Sequence, residues 1–364
     1  MGDNVHGAFL SQKINKVRWK PEFGVDAETF VTGSWDNEEN QLTLWFYPPL
    51  SEIQEEEYLD AYPQVVYEQQ FEGDVTELKF VANNKFLVSS SFGRVQLFDI
   101  LDRTQAAKAK LREVITWDNC HYFKTGERSS CTGIATFEED VATIGEDGRI
   151  NLLSLHSERL VRVIDEADTS SLRCTCFLKH NELLTGNLRG HMKVWDLRSH
   201  EDKPESTFML SGDQIGATCV THHPTQRHLV LAGGEDGALT VWDLRHNTFP
   251  VTVLTAHSQS VSELQFHPDR PEHLFTCSTN GEIWHWNTSA VARSSALGSA
   301  SDMSVLAGIE DNPWLNPDVA KNRMEVFALM PAISQPINSF DLNRTRLVCG
   351  CDNEAVYVIK NLIL

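Results

Sequence analysis

Along most of the chain apolar and polar side chains alternate with a period of two, in short runs broken by Gly, Pro, Asn and Asp. Such alternation places every second side chain on one face and predicts half-buried β-strands joined by tight turns. One phrase recurs: a turn with Gly, Asp or Asn, then alternating apolar residues, then an aromatic that is often followed by Asp. It is found as GRVQLFDI from Gly93, DGRINLLSL from Asp147, RGHMKVWDLR from Arg189, DGALTVWDLR from Asp236 and NGEIWHWN from Asn280. Weaker copies are NQLTLWF from Asn40 and NEAVYVIK from Asn353, which makes seven. In the fifth copy, ATCVTHHP, HLVLAGGEDG and ALTVWDL predict three strands. PVTVLTAH then supplies a fourth before the next copy opens at VSELQFHP. The Asp-Gly and Asn-Gly pairs suit the positive φ that tight hairpins require. Four antiparallel strands per repeat is the composition of a propeller blade.

The expected fold is therefore all-β, a seven-bladed β-propeller occupying residues 1–364 as one domain. The seventh copy offers only INSFDL, RLVCGC and AVYVIK, so its outer strand is expected from GAFLSQK near the N-terminus. A ring closed in this way has no open edge strand. The chain is longer than seven plain blades need, and the surplus falls at about 46–64, 119–130 and 288–322. The first insertion is acidic around Glu52–Asp60 and is expected to be a solvated loop. The third carries Trp314 and Leu315 between Pro313 and Pro317. It is read either as a loop whose short helix folds back on the ring, or as a partner-docking element with Trp314 as anchor.

The repeats resemble the WD-repeat family. Trp195-Asp196 and Trp242-Asp243 give its dipeptide, with Phe98-Asp99 and Trp286-Asn287 as variants. Ala256-His257 stands where that family has Gly-His. The resemblance implies a structural tetrad of His257, Ser278, Asn280 and Trp286, with Asn replacing the usual Asp. The fourth copy departs from the pattern with Arg189 in the turn, and the seventh has no Gly there. Arg198 and Arg245 complete two WDxR sequences, which resemble the motif by which WD-repeat substrate receptors dock on the adaptor of cullin-type ubiquitin ligases. The other reading is that these Asp and Arg side chains satisfy local turns.

Composition narrows the function. With 51 acidic and 31 basic residues the formal charge is −20, which opposes direct binding of nucleic acid or of an anionic membrane. The N-terminus lacks the pattern of a secretory signal, and no stretch approaches a membrane span. Eight scattered cysteines fit a reducing compartment, and Cys174/Cys176 and Cys349/Cys351 are expected to be packed thiols. No phosphate loop, nucleophile elbow or HExxH helix is present, so no catalytic residue, cofactor or metal is expected.

Several longer stretches resemble the nucleoporin 43 family of WD-repeat nucleoporins. They are SQKINKVRWKP, TFVTGSWDNEEN from Thr29, GEDGRINL from Gly145, IDEADTSSL from Ile164, HPDRPEHLFTCSTNGEIWHW from His267 and LVCGCDNEAVYV from Leu347. The resemblance implies a structural subunit of the Y-shaped scaffold complex in the nuclear pore, present once per complex and monomeric in isolation. It implies binding to other nucleoporins, especially the α-solenoid subunit of a short arm. It also implies a supporting role in nucleocytoplasmic transport and an association with kinetochores in mitosis.

Overall fold

In a computed structural model of the chain, the described residues are 4–22, 24–48, 62–101, 109–289 and 312–364. They form seven four-stranded antiparallel sheets. Six are built from four consecutive strands each, and we number the blades in chain order by their inner strands: Ile14–Trp19, Val75–Ala82, Cys131–Phe137, Leu172–Lys179, Ala217–His222, Val261–Phe266 and Ile337–Asn343. The seventh sheet takes its outermost strand, Val5–Phe9, from the N-terminus. This strand pairs with Ala355–Ile359 in the register Val5↔Ile359 to Phe9↔Ala355. The clasp starts two residues earlier than GAFLSQK suggests.

Each interface between neighbouring blades has its own apolar cluster, and there are seven such clusters. Val31, Leu42 and Leu44 of blade 1 pack on Val75, Leu78 and Phe86 of blade 2. Phe275, Cys277 and Ile283 of blade 6 pack on Ile337, Phe340 and Cys349 of blade 7. Ile14, Val17 and Trp45 of blade 1 close on Val348, Val356 and Val358 of blade 7. Burial of this kind contributes roughly 25 cal/mol per Å² of apolar surface, so stability is shared around the ring.

The blades are also tied by a device that no single sequence run reveals. Every inner strand has a bulge at its second residue: Asn15, Thr76, Thr132, Arg173, Thr218, Ser262 and Asn338. A bulged residue leaves the ladder and can re-aim its side chain. Five of the seven donate to a main-chain carbonyl of the next blade. Asn15 bonds Val75 O, Thr76 bonds Cys131 O, Thr132 bonds Leu172 O, Thr218 bonds Val261 O, and Asn338 bonds Ile14 O across the closure, at 2.5–2.9 Å.

The third insertion contributes a 3-10 turn, Pro313–Leu315, and a short helix, Pro317–Asn322. Asn312 caps the turn and Asn316 caps the helix, accepting from the Asp318 and Val319 N–H groups. Residues 118–130 join blade 2 to blade 3. The acidic stretch Glu52–Asp60 and the Ser/Ala-rich part of the third insertion lie outside the described residues.

Candidate functional site

The inner strands enclose a polar channel of about 600 Å³. Its chief feature is Arg18 of blade 1, whose side chain is buried. Its Nη2 donates to Glu263 Oε1 of blade 6 at 2.5 Å and to Glu77 Oε1 of blade 2 at 3.0 Å. Its Nη1 donates to Ser339 Oγ of blade 7 at 2.8 Å and to Phe340 O at 3.2 Å. One guanidinium thus binds three blades besides its own, and Glu263 returns the link by accepting from Phe340 N–H. Lys16 adds an ion pair to Glu77 at 3.5 Å. Burial works against charge on Glu263, but Arg18 and Lys16 hold its carboxyl down to about 2. Burial likewise opposes charge on Arg18, yet Glu263 and Glu77 raise its pKa further. Nearby Asp341 is raised by burial despite Arg18. Arg18 carries no motif, and its partners lie 59 and 245 residues away, so sequence reasoning missed it.

Of the predicted tetrad of blade 6, His257 and Trp286 are brought together, and Ser278 and Asn280 stand outside the relay. Trp286 Nε1 donates to Thr276 Oγ1 at 3.0 Å, and His257 Nε2 lies 2.9 Å from the same oxygen. Thr276, not Ser278, is therefore the central hydroxyl. Residues two apart on a strand share a face, so the sequence offered two hydroxyls, and the one deeper in the strand reaches the indole. Ser278 serves the turn instead, donating to Gln259 O and accepting from Asn280 N–H. Asn280 bonds Ser258 and Glu282, not His257. The nearest acid to His257 is Glu282, 3.5 Å from Nδ1. Burial lowers the His257 pKa against this pull.

A fuller relay occurs in blade 3, where no WD dipeptide marks it. His121 Nδ1 is 3.0 Å from Asp147 Oδ1 and its Nε2 is 3.0 Å from Thr143 Oγ1, while Leu153 occupies the tryptophan's place and Asn151, opposite Thr143 on the next strand, donates to Cys120 O. Burial pushes the His121 ring down, but Cys131 and Asp147 outweigh it and lift the pKa to about 9. Asp147-Gly148 was visible as a repeat turn; pairing it with His121 was not, because His121 lies in a stretch taken as an insertion.

The candidate docking residues fare differently. Trp314 is fully buried, edge-on to Phe266 and beside Trp286, between blades 5 and 6. A docking anchor needs a surface, and Trp314 has none, so the anchor reading is corrected and the segment folds back on the ring. Leu315 is half-buried against the same cluster. Arg198 and Arg245 each fold back on their own aspartate, Arg198 through two guanidinium bonds to Asp196 at 3.0 Å each and Arg245 through three to Asp243 at 2.7–3.1 Å. Asp243 also caps the turn Leu244–His246. The cysteines are free, and burial raises Cys174, Cys277 and Cys351 well above the ordinary thiol range. Among the described residues, no three His, Cys, Asp or Glu side chains are grouped to hold a metal ion.

Comparison with known proteins agrees with this architecture. Residues 203–243 and 248–287 match the family described as WD domain, G-beta repeat. The chain is 37% identical to human nucleoporin Nup43 over 99% of each chain, and 38% identical to mouse nucleoporin Nup43 with the same coverage. The nuclear pore complex protein nup43 of Dictyostelium discoideum is 26% identical over 62% of this chain and 52% of its own length.

Proposed function

The chain belongs to the Nup43 family of nucleoporins, and from that membership we propose that it is a non-catalytic scaffold subunit of the nuclear pore complex at the nuclear envelope. The observation that carries this reading is end-to-end identity with its relatives. The alignment takes in the N-terminal clasp and every blade, rather than a shared repeat alone. The physical arrangement supports it. A ring tied through bulged side chains and the Arg18 ion pairs keeps its shape while its loops hold a neighbour, which is what a structural subunit requires. Within the complex its partners are other nucleoporins, an α-helical solenoid subunit of the Y-shaped assembly foremost, and it enters as one copy. Its contribution to transport is through assembly of the pore, and the kinetochore association follows from the same assembly.

The test is to tag the full chain, image it and purify it from cells. A nuclear-rim signal and stoichiometric recovery of pore subunits are expected, and Arg198→Ala/Arg245→Ala should leave both unchanged. Recovery of a cullin adaptor without pore subunits, lost in that double variant, would replace the scaffold reading with a ligase-receptor one.

A further inference from the structure

The rims of blades 5 and 6 leave a cleft between them, and the residues on either side account for it. Trp242 of blade 5 is covered by Phe208 of blade 4, with ring centroids 4.5 Å apart. Phe208 lies opposite Met192, and the corresponding place in blade 5, opposite Leu239, is held by Leu254. A leucine beside Trp286 fills less space than a phenylalanine, and Trp284 stands where blade 5 has Thr240. The result is a cleft of about 800 Å³ with apolar walls. One wall is the face of blade 6 that carries Trp284, Trp286, Val326 and Ala328, and the other is Val253 and Leu254 of blade 5. Val253 and Val326 are 42% and 41% exposed.

Two charged side chains line the cleft, one at each end. Lys321 belongs to the short helix Pro317–Asn322, which leads into the outer strand at Glu325. Glu282 precedes the third strand of blade 6, at the other end of that outer strand, where Leu329 N–H donates to Ile283 O. Asn280 Nδ2 holds the Glu282 carboxylate at 2.6 Å. Glu325 does not cancel Lys321, because it lies on the opposite face of the blade and accepts from Asn287 Nδ2 at 3.2 Å. Among the described residues the Trp284 indole N–H has no hydrogen-bond partner, so one donor of the cleft is left for an acceptor.

A negative end, a positive end and an apolar bed between them complement an α-helix, whose N-terminus is electropositive and whose C-terminus is electronegative. An extended segment has little axial dipole and gains nothing from that arrangement. The outer strand Glu325–Ala328, at about 3.4 Å per residue, gives a bed about 14 Å long. At about 1.5 Å per residue this takes about nine helical residues. We propose that this cleft seats a short amphipathic α-helix of a partner pore subunit, with its apolar stripe against Trp284 and Val326, its N-terminus toward Glu282 and its C-terminus toward Lys321. This rests on the scaffold reading and adds to it where on the ring a partner helix lies and in which direction it runs.

The test uses full-length tagged chain in cells with p-benzoylphenylalanine in place of Val253, and identifies the peptide cross-linked on irradiation. The expected product joins this chain to a segment of a pore subunit whose apolar residues recur every three to four positions. A cross-link to residues 290–311 of the same chain, to a second copy, or to a segment that alternates with a period of two overturns the inference, as does the absence of any cross-link. Ala328→Arg, which puts a charged chain into the cleft, is expected to lower recovery of the cross-linked subunit tenfold or more. Val161→Arg, on the exposed outer strand of blade 3, should leave it at the wild-type level. Exchanging the end charges in Glu282→Lys/Lys321→Glu should cost about two- to fivefold, and no loss there overturns the assigned direction. Melting temperatures check that each variant is folded. Ala328→Arg recovery equal to wild type, or an equal loss in the blade 3 control, overturns the inference and leaves the scaffold reading standing. A wild-type chain absent from the nuclear rim and without pore subunits instead removes the scaffold reading itself.

Discussion

Blades 3 and 6 carry the same buried histidine and treat it in opposite ways. In blade 3, His121 sits between Asp147 and Thr143 and its pKa is raised to about 9. In blade 6, His257 keeps the hydroxyl of Thr276, but Asn280 stands in the turn and the ring is pushed below its ordinary value. Blade 6 has the more familiar sequence, yet blade 3 has the stronger electrostatic link. Blade 5 extends the lesson. It has an intact Trp242-Asp243, but Ala232 occupies the place equivalent to Thr276, and among the described residues Trp242 Nε1 has no hydrogen-bond partner. The dipeptide records a packing slot for an indole. Whether a relay exists depends on the residue ten positions earlier and on the turn.

That contrast is open to direct attack. The largest effect is expected from His121→Ala, which strands the buried Asp147 carboxylate. It should cost about 3–5 kcal/mol in denaturant unfolding, and a loss below 1 kcal/mol would deny the relay its structural weight. Next comes pH. A histidine raised from 6.5 to about 9 stabilises fully below pH 6.5, and this contribution is lost as pH rises through 9. The alkaline loss should be on the order of 3 kcal/mol, and Asp147→Asn should reduce it. His257, lowered, has the reverse sign: its contribution is complete above pH 6.5 and is lost as pH falls below its folded pKa. Thr276→Val removes the acceptor for Trp286 and the hydroxyl partner of His257 together and should cost about 1–3 kcal/mol, whereas Ser278→Ala should cost less. The smallest effect is a gain. Ala232→Ser offers Trp242 its missing acceptor, and a stabilisation of about 0.5–1.5 kcal/mol would show that the slot was waiting for one.

Much of the fold was legible because strand alternation and turn residues act locally. Seven phrases gave seven sheets, and a missing fourth strand pointed to the N-terminus. What escaped detection depends on spatial convergence. The bulge residues are Asn, Thr, Arg and Ser, so a role fixed by backbone geometry leaves no common letter. Arg18 looked like one more strand cation until its partners in blades 2, 6 and 7 came together around it. Ser278 was mistaken for Thr276 because both hydroxyls share a strand face. Trp314 allows two readings because sequence cannot tell an indole on a surface from one filling a gap between blades, and its full burial selects the second.

The pairing of Val5–Phe9 with Ala355–Ile359 also sets a schedule for biosynthesis. The first strand to leave the ribosome must wait for one of the last. At roughly 5–20 residues per second, 364 residues take about 20–70 s to make. Through that interval the growing ring has two unpaired ends, and until blade 6 is made Arg18 has no Glu263 to meet. The nascent chain therefore spends its synthesis time as an open array of sheets whose exposed edges need shielding, and it becomes a finished ring in one late event.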